Sequence, residues 1–160
     1  MLILGIDPGT ATTGFGLIAE KKSKPQFVDH GVIKTSPKET SQGRLRRIYN
    51  GLKKLMLDYK PKVVAIERLY FGTNTKTAIA VGQARGLALL AAAEQRIQVA
   101  EYSPLEVKMA VTGYGRAEKQ QVQQMVKSLL GLSDLPKPDD AADALAIAIC
   151  HLHSYKLLNL

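Results

Sequence analysis

The chain has 160 residues, 46% of them hydrophobic and 22% charged, proportions that exclude a disordered, collagen-like or coiled-coil protein and suit one domain. Its longest apolar stretch, Gly86–Ala93, is too short to cross a bilayer. Twenty-two Lys and Arg against fourteen Asp and Glu give a formal charge of +8, which favours a polyanionic partner, nucleic acid before an acidic membrane, unless the charge serves only solubility.

The opening Met1–Asp7 shows neither a basic leader nor a cleavage site, and Cys150 is the lone cysteine, so a reducing cytoplasm is the expected compartment. Leu2–Asp7 is an apolar run ended by Pro8-Gly9. Phe15–Ala19 and Phe27–Lys34 follow, separated by Gly14 and by Lys24-Pro25. The pattern predicts a three-stranded antiparallel meander. Leu45, Ile48, Leu52, Leu55 and Tyr59 recur at helical spacing, giving a helix over about Ser41–Tyr59 that Pro61 stops. Val63–Glu67 is a fourth strand, Thr77–Gln95 a helix and Ile97–Tyr102 a fifth strand. Ser103-Pro104-Leu105-Glu106 is a helix start with cap, first-turn proline and capping box, and Gly113 and Gly115 break that helix. Another helix runs over about Ala117–Leu130. A last one starts near Asp139 with Ala142, Leu145, Ala146 and Ile149 inward. The expected fold class is α/β: a five-stranded mixed sheet, three strands antiparallel and two parallel, flanked by helices. The fourth strand should lie beside the first and the fifth should extend that edge.

Two acids close two apolar strands, Asp7 after Leu2–Ile6 and Glu67 after Val63–Ile66. If those strands are neighbours, about 4.8 Å apart, the two carboxylates face one another. A strand that merely ends in a polar residue accounts for either acid alone. Asp140 and Asp143, three apart, share one helix face. Acids near a helix start also complement its dipole, and Asp139 suits a capping role. Asp143 fits that account less well, lying inside the apolar run Ala141–Cys150. Were all four to converge, each close pair would repel by about 4 kcal/mol at an effective dielectric near 20, so the cluster would need protons or cations. Hard oxygen ligands without His or Cys select Mg²⁺ or Mn²⁺. His30, His151 and His153 show no zinc spacing with a cysteine, and His151 either reaches the acids from their own helix or sits at the surface. A phosphate loop of the GxxxxGK type is absent, as is a supported Ser-His-Asp pattern. A carboxylate cluster on a basic chain points to phosphodiester hydrolysis with two metal ions, one activating a water and one stabilising the leaving 3′ oxygen.

Gly5-Ile6-Asp7-Pro8-Gly9-Thr10 with Gly14, Ala65-Ile66-Glu67, Gly82-Gln83-Ala84-Arg85-Gly86, Ala117-Glu118-Lys119 and Asp140-Ala141-Ala142-Asp143-Ala144-Leu145-Ala146 occur in that order. Together they resemble the RuvC family of Holliday junction resolvases over about residues 1–155. The resemblance implies one ribonuclease-H-like domain over residues 1–160. It also implies a homodimer and cleavage of four-way DNA junctions by paired symmetric nicks in recombination and repair. Asp7, Glu67, Asp140 and Asp143 are then the catalytic, metal-binding acids, with Mg²⁺ as cofactor, two ions per site, and Mn²⁺ as its substitute. A branch-migration motor (RuvA-RuvB) is an implied partner. Tyr70 stands where the family has an aromatic residue near the junction centre, and its ring either stacks on an unpaired base or plugs a loop. Lys108 and Lys119 match basic residues that the family places by the DNA backbone; each alone reads as a surface charge.

Gly113-Tyr114-Gly115-Arg116 precedes a helix, so free backbone N–H groups and Arg116 can meet a phosphate, or the segment is a simple turn. Arg44, Arg46 and Arg47 read as solvated. The repeat Ala78, Gly82, Gly86 fits helix–sheet packing or a dimer seam. Three other functions compete. A related ribonuclease-H-like nuclease acting on an RNA precursor or an RNA–DNA hybrid would use the same acids. A non-catalytic scaffold would not need all four. An actin-like ATPase shares the Asp7-Pro8-Gly9-Thr10 opening but requires two such domains.

Overall fold

The apolar runs become the strands of one sheet. The computed structural model describes residues 1–69 and 72–158. In it β1 (Leu2–Asp7), β2 (Thr12–Lys21) and β3 (Lys24–Lys34) form the antiparallel meander. β4 (Val63–Glu67) pairs parallel with β1, and β5 (Gln98–Tyr102) parallel with β4. The order across the sheet is β3-β2-β1-β4-β5. Helix α1 (Ser41–Tyr59) makes the crossover from β3 to β4, and α2 (Thr75–Glu94) the crossover from β4 to β5. Then come α3 (Pro104–Thr112), α4 (Lys119–Leu130) and α5 (Asp139–Leu158). Among the described residues no helix is long and apolar enough to cross a membrane.

The second hairpin, β2–β3, is longer than the sequence predicts. β2 and β3 run to a two-residue turn at Lys22-Ser23, both left-handed (φ 49° and 62°). Lys24-Pro25 therefore lies in the ladder, with Pro25 opposite Glu20. β3 is the sheet edge, where a residue without an N–H is tolerated. The Ser103–Glu106 capping box forms in both directions, at 2.6 and 3.1 Å. α2 starts two residues earlier than expected because Asn74 Oδ1 accepts the Thr77 N–H at 3.3 Å. α4 starts two residues later, where the Glu118 N–H meets Gln121 Oε1 at 2.8 Å.

Strand alternation divides the apolar side chains between two cores. Leu4, Ile6, Leu17, Val64 and Ile66 pack on Ile48, Leu52 and Met56 of α1 and on Ala88, Ala91 and Ala92 of α2. Ile3, Ile18, Val63 and Ala65 face α5, which α3 and α4 cover through Val107, Val111, Val122 and Val126. From Ala141 to Leu152 every residue of α5 except Asp143 is buried. A helix enclosed on all sides is apolar on all sides, which explains its composition.

α5 approaches the sheet this closely because side chains are missing beneath it. A Cβ at Gly5 would stand 2.0 Å from the Ala144 carbonyl oxygen, and one at Gly14 would stand 2.0 Å from that of Asp140. At Gly16 it would lie 2.7 Å from the Leu145 nitrogen. Gly5→Ala is expected to overpack this contact and cost about 1–3 kcal/mol. For a chain of this size that is a fall of roughly 2–12 °C in Tm, measurable by thermal unfolding.

Candidate active site

The alternation that turns Ile3 and Gly5 toward α5 turns Asp7 the same way. Val63 and Ala65 do the same for Glu67 one strand over, with Ile6 and Ile66 in register. The first turns of α5 cross this end of the sheet, where the backbone of Asp140 lies against Gly14. One carboxylate oxygen each from Asp7, Asp140 and Asp143 lies within 4.8 Å of the other two. Glu67 stands beside this trio. It lines one groove with Asp7, Asp143, Lys108 and Lys119, and a second with Asp7, Arg68, Leu69, Asn74 and Thr77.

Burial, and then the charges of Asp143, Asp140 and Glu67, push the Asp7 carboxyl from 3.8 up to about 8. Glu67 is raised by burial and by Asp143, against the pull of Lys108. Burial also raises Asp143, and Lys119 opposes that shift. Lys119 Nζ lies 3.2 Å from Asp143 Oδ2 and 3.6 Å from Asp139 Oδ2. Burial alone would lower the Lys119 pKa, but Asp143 and its neighbours raise it. The family resemblance assigns Lys119 to the DNA backbone; its ammonium lies within reach of the acids themselves. These donors are all hard oxygens, partly buried and short of positive charge, which fits a divalent cation of the Mg²⁺ or Mn²⁺ type.

The loop after Asp7 is fastened by residues that no sequence pattern singles out. Thr13, fully buried, donates its hydroxyl to the Gly9 carbonyl at 2.6 Å. Thr35 donates to the Thr10 carbonyl at 2.5 Å through its hydroxyl and to the Ala11 carbonyl at 3.0 Å through its N–H. The Thr35 hydroxyl accepts from Arg44 Nε at 2.8 Å. Arg44 is thus not a solvated residue, and Arg47 pairs with Glu39 at 3.0 Å; Arg46 is exposed, as expected.

Other expectations are corrected. Asp139 is the first residue of α5 rather than its cap, and its carboxylate turns to Gln123 at 3.1 Å and to Lys119. His151 neither reaches the acids nor lies at the surface. It is buried two turns beyond Asp143, with Nδ1 2.7 Å from the Tyr102 hydroxyl. Arg116 is exposed in a separate groove with Tyr114, Gln120 and Gln124. The backbone before it is partly committed: the Gly113 N–H bonds to Met109 and the Tyr114 N–H to Thr112 Oγ1. Arg85 pairs with Glu101 at 2.6 Å, tying α2 to β5. Tyr70 lies outside the described residues.

The raised Asp7 carboxyl sets the sign of a pH effect. Between 3.8 and about 8 the folded state holds a proton that the unfolded state has released. The metal-free protein therefore loses stability as pH rises through that window, and Glu67 and Asp143 add the same sign. With a chelator at the upper end of that window, Asp7→Asn should melt roughly 5 °C above the parent. The gap should close toward the acid end, and thermal unfolding across the pH range reads both.

A family model described as crossover junction endodeoxyribonuclease RuvC matches residues 3–151. A protein of that name from Syntrophomonas wolfei is 55% identical over 157 residues, 98% of this chain and 91% of its own length. Another, from Desulfitobacterium hafniense, is 56% identical over 159 residues, 99% of this chain and 96% of its own. The structure of T. thermophilus RuvC in complex with Holliday junction substrate superimposes with a TM-score of 0.93 at 38% identity, covering 98% of this chain and 96% of that one. The yeast mitochondrial Holliday junction resolvase Ydc2, at 17% identity and a TM-score of 0.69 over 98% of this chain and 81% of that one, shares the fold. The sheet order and helical layers are the ribonuclease-H-like architecture expected of such a chain. With a match spanning almost every residue and more than half of them identical, the chain belongs to the RuvC family of crossover junction endodeoxyribonucleases.

Proposed function

We propose that the protein resolves four-way (Holliday) DNA junctions by paired symmetric nicks in recombination and repair, with residues 1–160 acting as a single nuclease domain in the cytoplasm. The observation that carries this reading is the convergence of Asp7, Asp140 and Asp143, with Glu67 beside them, on a chain of net charge +8. The likeness to a relative solved on a Holliday junction supports the choice of substrate.

Asp7, Glu67, Asp140 and Asp143 are the groups that hold Mg²⁺, two ions per site, with Mn²⁺ as substitute. Bound there, the ions supply positive charge that makes an attacking water more acidic and offsets the charge growing on the leaving 3′ oxygen. The chain's own part is to assemble the oxygens in advance. β1 and β4 fix Asp7 and Glu67, α5 fixes Asp140 and Asp143, and the Thr13 and Thr35 hydroxyls hold the loop that follows Asp7. Lys108 and Lys119 line one groove with Asp7, Glu67 and Asp143 and suit a DNA phosphate. Arg116 reaches a more distant phosphate, and Tyr70 stacks on an unpaired base at the junction centre.

A two-fold dimer matches the two nicks that a symmetric junction needs. Its support is the outer face of α2, where Ile79 and Leu90 are 63% and 50% exposed on either side of Gly82 and Gly86. A branch-migration motor remains the partner that the family resemblance implies.

Asp7→Asn is expected to slow nicking by more than about 10³-fold while leaving junction affinity nearly unchanged, since the cationic surface is intact. Loss of binding as well would mean misfolding or another site. In competition at moderate salt a four-way junction should outcompete a linear duplex and an RNA–DNA hybrid of equal length. Preference for the hybrid would replace the junction reading with the ribonuclease one.

A further inference from the structure

The strand ends opposite the acids gather a second set of charges. Leu2 pairs with Ala19, so the hairpin tip with Lys21, Lys22 and Lys24 projects beyond the start of β1. The Lys62 N–H bonds to the Leu2 carbonyl, Lys60 caps α1, and Arg96 follows α2 just before β5. All six cations are exposed, and none forms an ion pair among the described residues. Asp58 and Glu94, the nearby acids at the helix ends, are already held by Lys54 at 2.6 Å and Lys53 at 3.3 Å.

The backbone at this pole adds an independent observation. The left-handed region penalises every residue with a side chain and costs glycine nothing. Among the described residues four non-glycines occupy it: Lys22, Ser23, Lys60 and Arg96. All four lie at this pole, and three are cations. Lys60 and Arg96 flank one groove lined also by Leu57, Pro61 and Gln95. A helix C-terminus favours positive charge, which accounts for part of Lys60 and Arg96 but not for Lys22 in a hairpin turn. Cations that stand where the backbone favours glycine point to a use for their charge.

We propose that this pole is a second DNA-contacting surface, which holds backbone phosphates of a duplex arm running from the nicked strand along the strand axis of the sheet. It rests on the junction-cleaving reading above. At about 3.3 Å per residue along β1 and β2, Lys62 stands roughly 17 Å and the hairpin tip roughly 26 Å from Asp7, so the middle of the pole is roughly 20 Å away. At 3.4 Å per base pair the contacted phosphates lie about 6 base pairs from the nick.

The test uses the full chain and a long-armed four-way junction. The combined variant Lys21→Gln, Lys22→Gln, Lys24→Gln and Lys62→Gln should bind about tenfold more weakly near 0.1 M salt, and its dependence of log affinity on log salt should flatten by about 0.9 for each phosphate that it no longer neutralises. Nicking at saturating protein should match the parent. Neutral methylphosphonate linkages about 6 base pairs from the nick should weaken the parent and leave the variant unaffected, the signature of a shared interaction. Lys60→Gly with Arg96→Gly should melt no lower than the parent yet bind the junction more weakly, a split that a purely structural role would not produce. An unchanged salt slope, or equal sensitivity of parent and variant to the neutral linkages, overturns the proposal. A parent that fails to bind or nick the junction overturns the reading beneath it instead.

Discussion

The structure depends on one close contact, that of the α5 backbone on the three glycines of the sheet face beneath it. Gly5, Gly14 and Gly16 all lie on the face turned toward α5, and at each the helix occupies the space that a Cβ would take. Everything at the acidic end follows from that spacing. The strands carry Asp7 and Glu67 at their last positions, and the helix brings Asp140 and Asp143 down onto them. A helix raised by ordinary side chains would keep the same faces and lose the convergence.

Such convergence works against folding. Three carboxylates within 4.8 Å repel one another, and burial deprives them of water. The surrounding chain offsets this in two ways. The cores on either side of the sheet supply apolar burial independent of the acids, with α5 enclosed from Ala141 to Leu152 apart from Asp143. Locally, the lysine Lys119 serves as an internal counter-ion for Asp143. Preorganisation of this kind is expected where charge must be met at a fixed place, and its energetic cost is borne by distant packing.

Much of this was legible because it is periodic or local. Two-residue alternation settles which faces Asp7 and Glu67 share, the spacing of three puts Asp140 with Asp143, and the Ser103–Glu106 box is written in four adjacent letters. What stayed hidden depends on contacts distant in sequence. The Thr10–Thr35–Arg44 chain joins three separate segments, and no local pattern marks a hydroxyl 25 residues away as a clamp on a loop. His151 reads as accessible until Tyr102, from the other side of the core, takes its ring nitrogen. Pro25 reads as a turn unless the strand that holds it is known to be the edge. Asp139 looks like a cap because its attraction to Lys119 and Gln123 belongs to another helix.

Charge is also distributed along the strand axis, acids at one end of β1 and cations at the other. A polyanion approaching the acidic end meets repulsion before it meets catalysis. With two divalent ions in place, as proposed, four carboxylates and four positive charges cancel locally. Lys108 and Lys119 are then left as net positive charge beside the site. On that proposal, counterion displacement by lysine and arginine supplies affinity over the whole molecule, while the acids, neutralised only when loaded, decide where hydrolysis occurs. On the proposed reading the same +8 that leaves the partner undefined in the composition has a spatial meaning in the fold: part of the attraction is placed away from the reacting phosphate, so the strength of binding can vary in part independently of the chemistry of cleavage.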